Sequence, residues 1–237
     1  MKFAVVVFPG SNCDHEAQYT TETVLGQDVS MVWHKETSLG AADAVILPGG
    51  FSHGDYLRTG AIARFSPIMA AVKAFADKGG PVLGICNGFQ ILQESGLLPG
   101  AMLRNSDLRF HCEFLHIRVE ETDTPFTRLC KKGQTLKVPI SHGEGNFFAD
   151  PEVIQALEKD RRIVFRYATA SGDTPASANP NGSLLNIAGV CSEKRNVVGL
   201  MPHPERACDT RLGSDEGLIL FRSVIDAFAS RGALQAV

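Results

Sequence analysis

One stretch limits what this chain can fold into more than any other: Val82-Leu83-Gly84-Ile85-Cys86-Asn87-Gly88-Phe89-Gln90, an apolar run that ends in Gly-x-Cys-x-Gly and passes directly into a helical pattern. A short β-run feeding a helix through a glycine-flanked nucleophile-type residue is the sequence form of a nucleophile elbow, a strained turn at the carboxyl end of a strand. Cysteine suits that position. The unpaired N–H groups and the dipole of the following helix favour negative charge and so lower the thiol pKa. Gly84 and Gly88 carry no Cβ, which lets the turn be sharp and the neighbouring backbone come close. A merely buried cysteine between a strand and a helix fits the same residues, since free Cys is among the most buried types. The stretch by itself leaves both readings open.

The chain around it alternates strands and helices. Phe3–Phe8 is a continuous apolar run, expected as a central parallel strand. After a loop at 9–12, Asp14 is expected to cap a helix reaching about Leu25, with Gly26 closing it. Val29–Trp33 and Ala44–Leu47 read as the next strands, the latter ending in Pro48-Gly49-Gly50. A helical pattern over 62–78 stops at Gly79-Gly80, and Val82–Ile85 is the fourth strand. This rhythm predicts an α/β fold: a doubly wound, mostly parallel sheet with helices on both faces, whose ligands lie at the carboxyl ends of the strands. After Gly96 the rhythm changes. Strands over 114–120 and 135–140 with no long helix between them predict a small antiparallel excursion. A helix over 151–159, a strand over 162–167, a surface loop at 169–183, a hairpin around Ser192-Glu193-Lys194-Arg195 and a closing helix over 215–229 complete the chain. With no repeat, low-complexity tract or linker, residues 1–237 read as one domain.

Two further elements bear on the chemistry. In an extended segment residues two apart point the same way, so His203 and Glu205 in Pro202-His203-Pro204-Glu205 are expected to face one site. A carboxylate beside an imidazole fixes its tautomer and stabilises imidazolium, as a Cys–His pair requires. Gly49-Gly50 leaves backbone N–H groups unshielded at the same sheet edge as the elbow. Gly50 and the N–H of Asn87 are therefore candidate donors to an oxyanion, each typically worth ~10²–10³ in rate.

Charge and cysteine usage narrow the field. Lys and Arg number 23 against 26 Asp and Glu, a net −3 with no basic block, so no nucleic-acid footprint is present. No apolar run approaches a membrane span and no signal-peptide pattern opens the chain, which points to the cytoplasm. Cysteines 13, 86, 112, 130, 191 and 208 form no C-x-x-C pair and no zinc-type spacing, so no metal is expected; His111, Cys112 and His116 read as strand residues. There is no phosphate-binding glycine loop of either common type, hence no expected nucleotide or cofactor site.

Taken together, Gly84-Ile85-Cys86-Asn87-Gly88-Phe89-Gln90, Pro48-Gly49-Gly50 and His203-Pro204-Glu205 resemble the class I, triad-type glutamine amidotransferases, whose flavodoxin-like domain would span the chain. The segments 7–14, 49–58, 96–100 and 142–146 narrow the likeness to the glutaminase subunits of phosphoribosylformylglycinamidine synthases. That resemblance implies a thioester mechanism. Cys86 attacks the glutamine carboxamide, His203 moves the proton, Glu205 orients His203, and Gly50 and Asn87 hold the oxyanion. It also implies that Gln90, Ser141, His142 and Gly143 contact glutamine. Two partners are implied, a large synthetase subunit that uses ATP and Mg, and a small bridging subunit. His53 stands where the likeness leads one to expect Tyr, and the 169–183 loop is longer than expected. Alternatives are another class I amidotransferase subunit, a DJ-1/PfpI-type cysteine hydrolase, which is expected to carry His where Asn87 stands, and a non-enzymatic α/β module.

Overall fold

The computed structural model describes residues 1–235. Strand β1 (Lys2–Val7) is buried on both faces at Phe3, Ala4, Val5 and Val6, as its unbroken apolar run demands. Helix α1 (Asp14–Gln18) continues as a wider π-type turn over Tyr19–Val24 and is closed at Gly26, whose φ is +64°. Cys13, not Asp14, occupies the N-cap. Asp14 is the first helical residue and makes no cap bond from its side chain. Strands β2 (Asp28–Trp33), β3 (Ala44–Leu47) and β4 (Val82–Ile85) lie where the sequence puts them.

The helix expected over 62–78 is broken. A 3₁₀ turn at Ala63–Phe65 is followed by extended Ser66, and α2 (Ile68–Asp77) starts only after Pro67. A residue before proline is pushed out of the helical region, which is why apolar spacing alone overextended this element. Helix α3 (Asn87–Glu94) leaves the elbow directly.

The second half adds β5 (Ala101–Leu103), β6 (His111–Val119), β7 (Thr135–His142), β8 (Asn146–Phe148), α4 (Pro151–Lys159), β9 (Ile163–Ala168), β10 (Ile187–Cys191), β11 (Val197–Leu200) and α5 (Leu218–Gln235). Nine strands form one sheet in the order β2-β1-β3-β4-β11-β10-β9-β6-β7. The first five named are mutually parallel, whereas β10, β9, β6 and β7 continue the sheet in antiparallel pairs. The antiparallel excursion is thus an extension of the main sheet, with β5 and β8 forming a separate pair. Buried apolar residues from Phe3 to Val224 form one cluster, with Phe89 and Phe147 stacked within it. Among the described residues no helix is long and apolar enough to cross a membrane.

Because β1, β3, β4 and β11 run the same way, the residues after Val7, Leu47, Ile85 and Leu200 emerge at one edge. Those residues carry the motifs singled out above. The antiparallel extension also returns to this edge: Pro139 of β7 accepts a 2.8 Å bond from the His203 amide.

Candidate active site

Cys86 has φ +50° and ψ −106°, a conformation that costs a residue with a Cβ about 1–3 kcal/mol and survives only where the surroundings impose it. The surroundings do. Its amide donates to Leu200 O at 2.8 Å, its carbonyl accepts from Gln90 N at 3.2 Å, and α3 presses onto β3. A Cβ on Gly88 would lie 1.9 Å from the Leu47 carbonyl oxygen, and one on Gly84 would lie 2.8 Å from Gly88 O. Both glycines of the motif are therefore required by close approach. Cys86 is 5% exposed, with Sγ 3.9 Å from Ser141 O at the end of β7.

His203 and Glu205 are brought together, though not by strand alternation. After His203 the chain makes one 3₁₀ turn over Pro204–Arg206, since proline's fixed φ starts the turn. Glu205 Oε1 nevertheless reaches His203 Nδ1 at 2.6 Å. Thr20 Oγ1 donates to Glu205 O at 3.0 Å, tying this turn to the end of α1. Burial alone drives the His203 ring down, but the Glu205 carboxylate, with the thiols of Cys86 and Cys13, overrides it and holds the imidazole well above its usual value. With Nδ1 committed to Glu205, the buried Nε2, which has no other hydrogen-bond partner, is the ring atom left to exchange a proton.

Cys13 was not singled out from the sequence. It ends the loop that leaves β1, at the sheet edge where Gly49 follows β3 and Cys86 follows β4, and that shared edge was the available signal. Its Sγ accepts from Arg206 Nη2 at 3.1 Å, and burial pushes its thiol pKa up against the opposing pull of His203. Cys13, His203 and Glu205 bring ligand-type atoms within 4.8 Å of one another. Two of the three already form the His–Glu pair and a guanidinium sits on the third. His111 is held by Asp107 at 3.1 Å.

A cavity of about 170 Å³ opens over Cys86 and is lined by Gly50, Gln90, Ser141, His142 and Gly143, all expected site residues. It is also lined by Asp55, Thr59, Phe110 and Glu144, none of them marked by the sequence motifs as a site residue. A cavity of about 590 Å³ lies elsewhere, against 192–197, and touches none of these groups. Side-chain amides frame the smaller one. Asn87 Oδ1 accepts from Ser52 N at 3.1 Å, Asn87 Nδ2 donates to Gln90 Oε1 at 3.0 Å and to Asp55 at 3.3 Å, and Gln90 Nε2 donates to Glu144 O at 2.6 Å. Gly50 has φ +143°, and a Cβ there would strike Asn12 N, Gly10 O and Ser11 Cα at 2.8 Å, so only glycine fits beneath the loop after β1.

His142 is buried, with its Nε2 facing Asn181 Nδ2 at 3.1 Å. Burial, aided by His203 and His111, lowers its pKa to about 3. Asn181 and Ser183 are themselves buried, so the end of the 169–183 loop is part of the wall behind the site and not surface. His53 has φ +54° and packs edge-on against His34, ring centroids 5.3 Å apart.

The family model for the CobB/CobQ-like glutamine amidotransferase domain matches residues 1–215. A phosphoribosylformylglycinamidine synthase subunit PurQ from Koribacter versatilis is 58% identical over 98% of this chain and 100% of its own length. The protein of the same name from Acaryochloris marina is 53% identical over 98% of this chain and 99% of its own. Among solved structures, PurLQS from Thermotoga maritima superposes with a TM-score of 0.85 at 41% identity, covering 96% of this chain and 98% of that one. A strained cysteine elbow, a buried His–Glu pair and these matches agree, and the chain belongs to the CobB/CobQ-like glutamine amidotransferase family.

Proposed function

We propose that this chain is the glutaminase subunit of a phosphoribosylformylglycinamidine synthase. In its reaction Cys86 Sγ adds to the side-chain carboxamide carbon of glutamine, and His203 Nε2 takes the thiol proton. The tetrahedral oxyanion is met by backbone N–H groups of Gly50 and Asn87, at the edge where β3 and β4 end. Collapse breaks the C–N bond, His203 returns the proton to the departing nitrogen, and ammonia leaves. Water, deprotonated by His203, then cleaves the thioester to glutamate and restores the thiol. Glu205 orients the ring and stabilises its charged form. Gln90, Ser141, His142 and Gly143 line the pocket that receives the substrate.

The observation that carries the reading is the pairing of a cysteine held at φ +50° with a buried His–Glu couple at the same sheet edge. A DJ-1/PfpI-type hydrolase has no use for that couple. The partners are a large synthetase subunit, which binds ATP, Mg and the ribotide, and a small bridging subunit. The three-component name of the Thermotoga maritima structure supports this division. The cavity rim is suited to a partner: Tyr56 and Leu57 are 74% and 85% exposed, and Phe51 stacks on Phe110 with centroids 6.5 Å apart. The whole chain acts as one domain around one apolar core, in the cytoplasm, with no cofactor of its own.

The test is reconstitution. The chain mixed with a synthetase subunit and a bridging subunit should convert formylglycinamide ribotide to formylglycinamidine ribotide with glutamine and ATP. Glutamine hydrolysis by the assembly should exceed that of the chain alone. Failure of glutamine to support synthesis in an assembly that is active with ammonia would reject the reading.

A further inference from the structure

Two carboxylates line the cavity above Cys86, Asp55 from the turn after β3 and Glu144 from the turn after β7. No lysine or arginine lines it, and its histidine, His142, is held neutral by burial. Asp55 receives only a long 3.3 Å bond, from Asn87 Nδ2, whose shorter bond goes to Gln90. Glu144 Oε1 lies 3.7 Å from the Nε of Arg104, a side chain 77% exposed and outside the cavity wall. His142 Nδ1, buried and lining the same cavity, has no partner. Because Nε2 faces the amide nitrogen of Asn181 and must accept from it, the ring proton sits on Nδ1, an unspent donor.

Resting on the glutaminase reading, we propose that Asp55, assisted by Glu144, is the subsite for the α-ammonium group of glutamine. It restricts the site to amides that carry that cation, while the unspent N–H of His142 faces an acceptor of the same substrate. Paired acids around a space without a cation need one to be supplied, and the zwitterion brings one positive charge. Burial and the charge of Glu144 raise the Asp55 pKa to about 6, opposed by the Asn87 bond. Arrival of an ammonium group reverses that upward shift and favours the ionised carboxylate, so recognition and ionisation reinforce each other.

The experiment compares glutamine with glutaramate, which is glutamine with hydrogen in place of the α-ammonium group, as substrates of the assembled complex. The wild type is expected to favour glutamine in kcat/KM. Asp55→Asn, which keeps an oxygen to accept from Asn87, should shrink that preference roughly 10- to 100-fold, the worth of one charge-assisted hydrogen bond. Glu144→Gln should shrink it less. In the wild type the preference should fall as pH drops through about 6, and this limb should vanish in Asp55→Asn; a purely structural role for Asp55 would move neither. If turnover of a variant is too slow to measure, calorimetric binding of both compounds in a Cys86→Ala background reads the same ratio. An unchanged ratio in Asp55→Asn, with wild-type glutamine hydrolysis intact, overturns the subsite alone. Absence of glutamine hydrolysis in the wild-type complex overturns the glutaminase reading and the subsite with it.

Discussion

His203 Nδ1 and Glu205 Oε1 lie 2.6 Å apart and both residues are about 1% exposed, so the pair is sealed from water. Glu205 Oε2 and His203 Nε2 have no other protein partner. Removing one member therefore leaves the other buried and unsatisfied, which typically costs about 1–3 kcal/mol and more for a charge.

From this pairing, Glu205→Gln should reduce glutamine turnover less than His203→Ala. The double variant should cost little beyond His203→Ala alone, because members of one catalytic unit are strongly non-additive. Steady-state glutaminase rates of the three variants in the complex are the check. Fully additive losses would mean the two residues do not act together.

The elbow makes a separate prediction about backbone space. Gly88→Ala places a methyl 1.9 Å from Leu47 O, a backbone atom that cannot swing aside, so α3 must lift from β3 and carry Cys86 with it. Stability should fall by several kcal/mol, in the upper tail for single substitutions, and glutaminase activity should go with it. Gly96→Ala, at φ +73° with no atom within 4 Å of the added carbon, meets only backbone strain and should cost about 1–2 kcal/mol. Urea midpoints of the two variants measure the contrast; equal losses would contradict it.

Much of this was legible in the residues, for identifiable reasons. The strands Ala44–Leu47 and Val82–Ile85 have the expected boundaries because both are short apolar runs with glycine or proline punctuation on their flanks. Cys86 stood out because the glycines on either side have no role in an ordinary strand or helix. The misjudged elements share another cause. Pro67 splits a helix that apolar spacing runs through, and Pro204 converts an extended His-Pro-Glu into a turn; in both, backbone restriction overrode side-chain periodicity. Asp55, Glu144 and Asn181 were not legible as site residues. Each reaches the site through contacts from distant parts of the sequence, and a polar side chain in a turn looks the same whether it faces water or a cavity.

His142 gives the fold an acid-sensitive point. Its folded-state pKa, about 3, lies below the ordinary histidine value of 6.5, so between these limits the unfolded chain binds a proton that the folded chain refuses. Stability must then fall as pH drops below 6.5, with the loss complete near pH 3. From pH 7 to pH 5 this group alone accounts for about 2 kcal/mol. His142→Gln, which can still accept from Asn181, should be less stable at pH 7 yet show a flatter decline between pH 7 and 5 in urea titrations. A decline as steep as that of the wild type would place the acid sensitivity elsewhere.

The central claim is that the Cys86 thiol releases ammonia from glutamine for a synthetase that can also use ammonia from solution. The direct measurement is formylglycinamidine ribotide formation by the reconstituted complex carrying Cys86→Ser, with glutamine and with ammonium salt in parallel. A hydroxyl at the elbow is far harder to deprotonate than a thiol. Glutamine-dependent synthesis should therefore fall to background while ammonia-dependent synthesis stays at the wild-type rate. Equal loss of both activities, or retention of the glutamine-dependent rate, would contradict the account.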